Sequence, residues 1–283
     1  MTEIDEKQQQ LSQYYQRAIE GHVYIRDTLD AAFESLGRRL RALGGFARVL
    51  ELGSHAGITT EMLLKRWPNL EVVVHDDDAE LVALARRRLA GRAVHYHTSA
   101  LADLAEPVDV VISFARHHHL PHGYLPSVRS VLKPGGVYIV ADELCPEYCA
   151  GSWASLIEGA ELLHVAGGYV LTTRTDADAF VSGGTLPEYA QRLEDRRRIA
   201  LWRWYRFVVD EAVSRGYFDI ASGELQSACD DLVTGSDAEH KFSPLIVERQ
   251  FVLAGFRLLS KRSLGPANDP ERQSLFVYEF ATA

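Results

Sequence analysis

Val49-Leu50-Glu51-Leu52 runs straight into Gly53-Ser54-His55-Ala56-Gly57, and that junction limits what the chain can fold into more than any other stretch. An apolar run of strand length meets an acid and then a loop of small residues, and a helical pattern follows over 58–66. A second apolar run, Val72-Val73-Val74, ends in Asp76-Asp77-Asp78. Strand, tight turn, helix, strand and acidic tip together make the opening of a parallel α/β sheet. Such a sheet takes a nucleotide-like ligand at the carboxyl ends of its strands, with the tip carboxylate on the ribose hydroxyls. The small residues let backbone approach that ligand without a Cβ in the way.

The spacing argues against a dinucleotide. Gly-x-Gly-x-x-Gly starting at Gly53 needs glycine at 55 and 58, where the chain has His55 and Ile58. Glu51-x-Gly53-x-x-x-Gly57 instead resembles motif I of the class I S-adenosylmethionine (SAM) dependent methyltransferases, usually Glu/Asp-x-Gly-x-Gly-x-Gly. Asp76 matches that family's ribose-binding acid, Asp109-Val110-Val111-Ile112-Ser113 its fourth strand, and Leu132-Lys133-Pro134-Gly135-Gly136 its turn before the fifth. The resemblance covers residues from about 45 to 142 and, more weakly, the tail after Ser243. His55 departs from it at the middle glycine, which narrows the loop and offers the ligand a side-chain contact.

The resemblance implies SAM as cofactor, held by Glu51, Gly53, Ser54, His55, Gly57, Asp76, Asp77, Ser99, Ala100, Ser113 and Phe114. Ser99-Ala100 stand where the family usually carries an acid near the adenine amine. Unless Asp103 supplies that acid, Ser99 or backbone groups must take its place.

Hydrophobic patterning organises the rest. Ile25, Leu29, Phe33, Leu36, Leu40 and Leu43 form one apolar stripe within a helical segment, and Gly21-His22 breaks that segment in two. Strands are expected near 47–52, 71–76, 93–98, 108–114 and 136–142, with helices near 58–66, 79–90 and 122–132. After Asp142 the pattern turns helical: Leu193, Leu201, Trp204, Val208 and Ala212 mark one segment, and Gly223 to Val233 another. Ser243-Pro244 reads as an N-cap with proline in the first turn, Gly255 as that helix's stop, and strands follow near 256–262 and 275–280.

The expected fold is therefore α/β: a doubly wound, mostly parallel seven-stranded sheet of Rossmann-like methyltransferase type, with N-terminal helices and a helical lid. Residues 1–45 form the N-terminal cap, 46–146 with 241–283 the SAM-binding domain, and 147–240 the inserted lid.

Composition sets limits. No apolar run approaches the roughly 20 residues needed to span a bilayer. Cys145, Cys149 and Cys229 make no disulfide framework, which points to a reducing cytoplasm. A net charge of −9 argues against a nucleic-acid partner, and Arg86-Arg87-Arg88 and Arg196-Arg197-Arg198 read as solvated helix faces. The partners expected are a small-molecule substrate, no nucleic acid and no membrane, with a homodimer as an option.

The chemistry concentrates after the fourth strand. His117-His118-His119, with Glu143 as helper, is the candidate proton acceptor, and many small-molecule methyltransferases resemble the segment His118-His119-Leu120. The bland alternative is that these rings cap or pack against the next helix. A zinc site from His118, His122, Cys145 and Cys149 competes on spacing, but buried thiols are the simpler reading and no metal is assigned. Asp142-Glu143 can bind a substrate amine, orient a histidine or cap a turn. Tyr14, Tyr15, Trp153 and Trp204 are the candidate substrate contacts, and the aromatic content of 147–240 favours an apolar or ring-containing acceptor. Methyl transfer to a small molecule is the leading reading. A non-methylating SAM enzyme and a non-catalytic binding protein are the alternatives, since fold alone does not separate them.

Overall fold

The computed structural model describes residues 3–53, 55–120, 124–149, 163–164, 171–172, 188–234, 241–266 and 269–283. The long N-terminal segment splits into α1 (Glu3–Gly21) and α2 (Ile25–Ala42), with the break where Gly21-His22 placed it. Leu29, Phe33, Leu36 and Leu40 of α2 are buried against the sheet, while Leu43 ends the stripe at the surface.

Strands β1 (Arg48–Leu52), β2 (Glu71–His75), β3 (Val94–His97), β4 (Val108–Phe114) and β5 (Leu132–Glu143) alternate with α3 (Ile58–Arg66), α4 (Ala79–Arg88) and α5 (Tyr124–Val131). After β5, the described residues of the segment expected to be a helical lid include a short antiparallel pair, Leu163–His164 with Leu171–Thr172. Then come α6 (Glu188–Ser214), α7 (Phe218–Cys229), α8 (Pro244–Leu253), β6 (Phe256–Leu264) and β7 (Leu275–Thr282). The sheet order is β3-β2-β1-β4-β5-β7-β6, with β7 antiparallel to both neighbours. The order reverses between β1 and β4, so the crevice for a ligand opens at the carboxyl ends of those strands. Val72, Val73 and Val74 in β2 are buried on both faces, as a parallel strand covered by helices on each side requires. The edge strand β6 instead exposes Ser260, Lys261 and Arg262, which discourages pairing with another sheet.

Local signals account for most boundaries. Asp78 caps α4, accepting from the backbone of Glu80 at 2.8 Å and Leu81 at 3.3 Å. Ser243 caps α8 through Ile246 N–H, with Pro244 in the first turn. Two element starts differ most from expectation. β5 starts at Leu132 because Leu132 already pairs with Val108, and a register shift then carries the ladder to Val110 and Val137. α7 starts at Phe218, leaving Gly223 inside it; a helical glycine costs only about 1 kcal/mol and does not force a start.

The helices after β5 are wedded to the main core. Leu193, Leu201 and Tyr205 of α6 join the cluster that holds Leu50, Tyr138 and Phe280, while Trp204 and Val208 join the cluster of α2 and the other sheet face. The arginine runs are not simply solvated. Arg197 is 1% exposed, its guanidinium paired with Glu194 at 2.8 Å and Asp231 at 2.9 Å. Arg88 reaches the Ala56 carbonyl at 3.1 Å. Only compensated pairing makes burial of Arg197 tolerable, and helical periodicity carries no trace of Asp231, a partner 34 residues away. No helix among the described residues is long and apolar enough to cross a membrane.

Candidate functional site

The loop after β1 is wound left-handed almost throughout. Gly53, His55, Ala56 and Gly57 have φ of 76°, 44°, 57° and 83°. Glycine adopts this freely, but His55 and Ala56 each hold it at a cost of about 1–2 kcal/mol. The turn is tight because α4 lies beneath it: a Cβ on Gly57 would stand 3.1 Å from the Ala85 Cα. His55 occupies the middle-glycine position and packs edge-on against Tyr15 of α1, the ring centroids 5.1 Å apart. Burial, then the charge of Arg116, pulls the His55 pKa down to about 4, so the ring is neutral at physiological pH.

At the tip of β2 the three aspartates divide their work. Asp76 is buried and lines the cavity, Asp77 pairs with Arg116 at 2.6 Å, and Asp78 caps α4. Beyond β4, Ala115 continues the ladder through Ala141 O and then turns at φ 43°, swinging Arg116 to His119 across the strand ends. Asp142 at the end of β5 collects this segment. It accepts the backbone N–H of Arg116 at 3.1 Å and of His117 at 2.5 Å, and the Nδ1–H of His118. Burial by itself would raise the Asp142 pKa, but the charge and hydrogen bond of His118 bring it below the ordinary carboxylate value.

These groups share one cavity of about 820 Å³ running along the carboxyl ends of β2, β1, β4 and β5. Gly53, His55, Asp76 and Asp77 line its β2 side, and Phe114, Arg116, His118 and His119 its middle. At the β5 end stand His22, Glu143, Glu224 and Lys241, and Tyr14 and Tyr15 of α1 also line the cavity, Tyr15 against His55. Glu143 is buried there, with Lys241 at 2.9 Å and Trp204 Nε1 at 3.0 Å. Burial favours its neutral form, but the charges of Lys241 and His22 hold its pKa well below the usual range.

Several expected contacts fall elsewhere. Glu51 is buried under the loop, accepting from Thr60, and Ser113 is buried against the Tyr138 hydroxyl at 3.0 Å. Ser99, Ala100 and Asp103 are exposed and away from the cavity lining. His117 turns inward to the Tyr124 hydroxyl and Phe251, so only His118 and His119 of the triplet face the cavity. The acid that orients His118 is Asp142, not Glu143, because alternation along β5 sends the two side chains to opposite faces. Trp204 is a core residue that holds Glu143 and does not line the cavity. Ser54 and Trp153 lie outside the described residues. Cys145, Cys149 and Cys229 are free thiols, with Cys145 facing the Arg197 carbonyl and His118 committed to Asp142.

Among the polar lining residues not singled out as site residues in the sequence are Arg116, His22, Glu224 and Lys241. Arg116 adjoins the histidine triplet and was findable. His22 read only as a helix break, and Glu224 and Lys241 sit in a region without strand rhythm.

The residues fit the implied cofactor on one further observation: Glu51 Oε1 is buried with no hydrogen-bond partner, directly beneath the loop that would cradle it. Burial, opposed by Thr59 and Thr60, raises the Glu51 pKa to about 7.

Comparison with known proteins agrees with this region. Residues 49–136 match the family model described as "Methyltransferase domain". A trans-aconitate 2-methyltransferase of Rhodopseudomonas palustris (strain BisA53) is 33% identical over 99 residues, covering 33% of this chain and 37% of that protein. Another, from Azoarcus sp. (strain BH72), is 32% identical over 130 residues, covering 41% of this chain and 50% of its relative. The chain thus matches between about a third and a half of the length of these relatives. The solved structure of the Burkholderia thailandensis 1,6-didemethyltoxoflavin-N1-methyltransferase aligns over 100% of this chain and 92% of its own, at 12% identity and a TM-score of 0.46.

Proposed function

We propose that this chain, whose residues 49–136 form a methyltransferase domain of the class I SAM-dependent type, transfers a methyl group to a small polar metabolite. One observation carries the reading: the loop after β1, Asp76 and the His118–Asp142 pair all converge on one cavity. Bound SAM supplies an activated methyl, so the protein has chiefly to align an acceptor and manage a proton. Asp76 would hold the ribose hydroxyls, and the loop from Gly53 to Gly57 the backbone of the cofactor's amino-acid end. The carboxylate on Nδ1–H fixes His118 with Nε2 as its basic nitrogen, the arrangement a general base needs.

The acceptor class follows from the β5 end of the cavity. The aromatic content of 147–240 favoured a ring-bearing acceptor, but Trp204 and Tyr205 are spent in the core, and His22, Glu143, Glu224 and Lys241 line this end instead. Hydroxyl groups of a polar acceptor suit that wall, and a carboxylate suits the cationic Arg116 in the middle of the cavity. The relatives named trans-aconitate 2-methyltransferases support the same class. A screen of small di- and tricarboxylates and their hydroxylated analogues, with S-adenosylhomocysteine and methylated product both quantified, tests this. One-to-one formation of the two supports methyl transfer; turnover confined to aromatic, uncharged acceptors refutes the polar assignment.

A further inference from the structure

His22, Glu143 and Glu224 reach the β5 end of the cavity from three separate elements: the α1–α2 junction, the tip of β5 and α7. One ligand atom from each lies within 4.8 Å of the other two. His22 Nδ1 donates to the Val23 carbonyl at 2.9 Å, so Nε2 is the nitrogen that ligates once an ion displaces its proton. That Nε2 is buried and makes no hydrogen bond. Its nearest carboxylate oxygens are Glu143 Oε2 at 3.4 Å and Glu224 Oε1 at 3.6 Å. Two ligands each about 2.1 Å from a tetrahedral ion stand about 3.4 Å apart, so these separations match edges of a coordination shell.

Surrounding groups orient the ligands as outer partners of a metal do. Glu143 Oε1 takes the Trp204 indole N–H at 3.0 Å and Lys241 Nζ at 2.9 Å, which leaves Oε2 for His22. Lys241 is itself held by the Tyr205 hydroxyl at 2.8 Å. We propose that His22, Glu143 and Glu224 form a binding site for a divalent first-row transition ion, with its remaining positions open to the cavity. One imidazole and two carboxylates suit Zn²⁺, Fe²⁺ or Mn²⁺, whereas Ca²⁺ and Mg²⁺ prefer oxygen ligands alone. An ion here would take oxygen atoms of an acceptor. The competing occupant of the same space is a proton, giving an imidazolium between two glutamates.

The site is independent of methyl transfer and is tested without cofactor or acceptor. The full chain is stripped with a chelator and titrated with Co²⁺, followed by calorimetry and visible absorption. The expected result is one ion per chain with the intense visible band of low-coordinate cobalt, displaced by Zn²⁺. Glu224→Gln and His22→Gln, checked for folding by circular dichroism, should each weaken binding by about 10-fold or more and remove the band. Absence of cobalt binding in the wild-type protein overturns the site whether or not the variants fold. Equal binding by folded Glu224→Gln and wild type overturns it too.

Discussion

His55 stands edge-on to Tyr15, ring centroids 5.1 Å apart and planes at 79°, so the residue at the middle-glycine position of the β1 loop touches the N-terminal helix. Backbone strain at φ 44° is thereby exchanged for a contact that closes α1 over the cavity. His55→Gly relieves strain worth about 1–2 kcal/mol and loses an edge contact worth about 0.5–1.5 kcal/mol. Global stability by urea unfolding should therefore change by no more than about 1.5 kcal/mol. Amide exchange in Glu3–Gly21 should nevertheless accelerate, and unchanged protection there would remove the role assigned to the ring.

Glu51 couples stability to pH in a direction opposite to most carboxylates. Its folded pKa lies at about 7, above the ordinary 4.5, because burial penalises the anion. Stability is full below pH 4.5, falls as the unfolded chain ionises first, and levels off above pH 7. Glu51→Gln should flatten that slope and stabilise the ligand-free protein at pH 8 by up to about 3 kcal/mol. The same variant should bind SAM more weakly. Parallel pH–stability curves for the two proteins would contradict the account.

Asp142→Asn keeps a carbonyl for the backbone N–H of Arg116 and His117 but no longer fixes the His118 tautomer with a charge. Turnover should fall by about 10²-fold or more with SAM affinity nearly intact. His117→Ala, which loses a buried contact to Tyr124, should instead act on stability. Equal loss of turnover in both would mean that the triplet serves only packing.

Arg197→Met strands Asp231 in the core without its cation and leaves Glu194 with only the half-exposed Arg198 at 2.9 Å. Denaturant unfolding should show a loss of about 3–5 kcal/mol, the cost of breaking a buried pair from one side. A loss under about 1 kcal/mol, typical of exposed pairs, would contradict that assignment.

How far the sequence reaches is visible in these residues. Gly53, Asp76 and His118 declared themselves because strand-turn-helix chemistry is local: each sits within a few residues of an apolar strand end. Ser243 was equally legible as a cap, whereas Asp78 read only as part of the acidic tip. His22, Glu224 and Lys241 were not, since their meeting depends on how α1, α7 and the segment before α8 fold back over β5. Arg197 failed for the same reason: its partners are one helical turn and 34 residues away, and helical periodicity registers only the face, not what covers it. Ser113 and Glu51 show the converse, residues at motif positions that support the cavity from beneath.

Calorimetric titration of SAM into the wild-type protein and Asp76→Ala tests the central claim most directly. The account predicts one micromolar site per chain in the wild type and a loss of roughly 1.5–3 kcal/mol in the variant, about 10- to 150-fold in affinity. Equal affinity in the two proteins, or no binding to either, would contradict it.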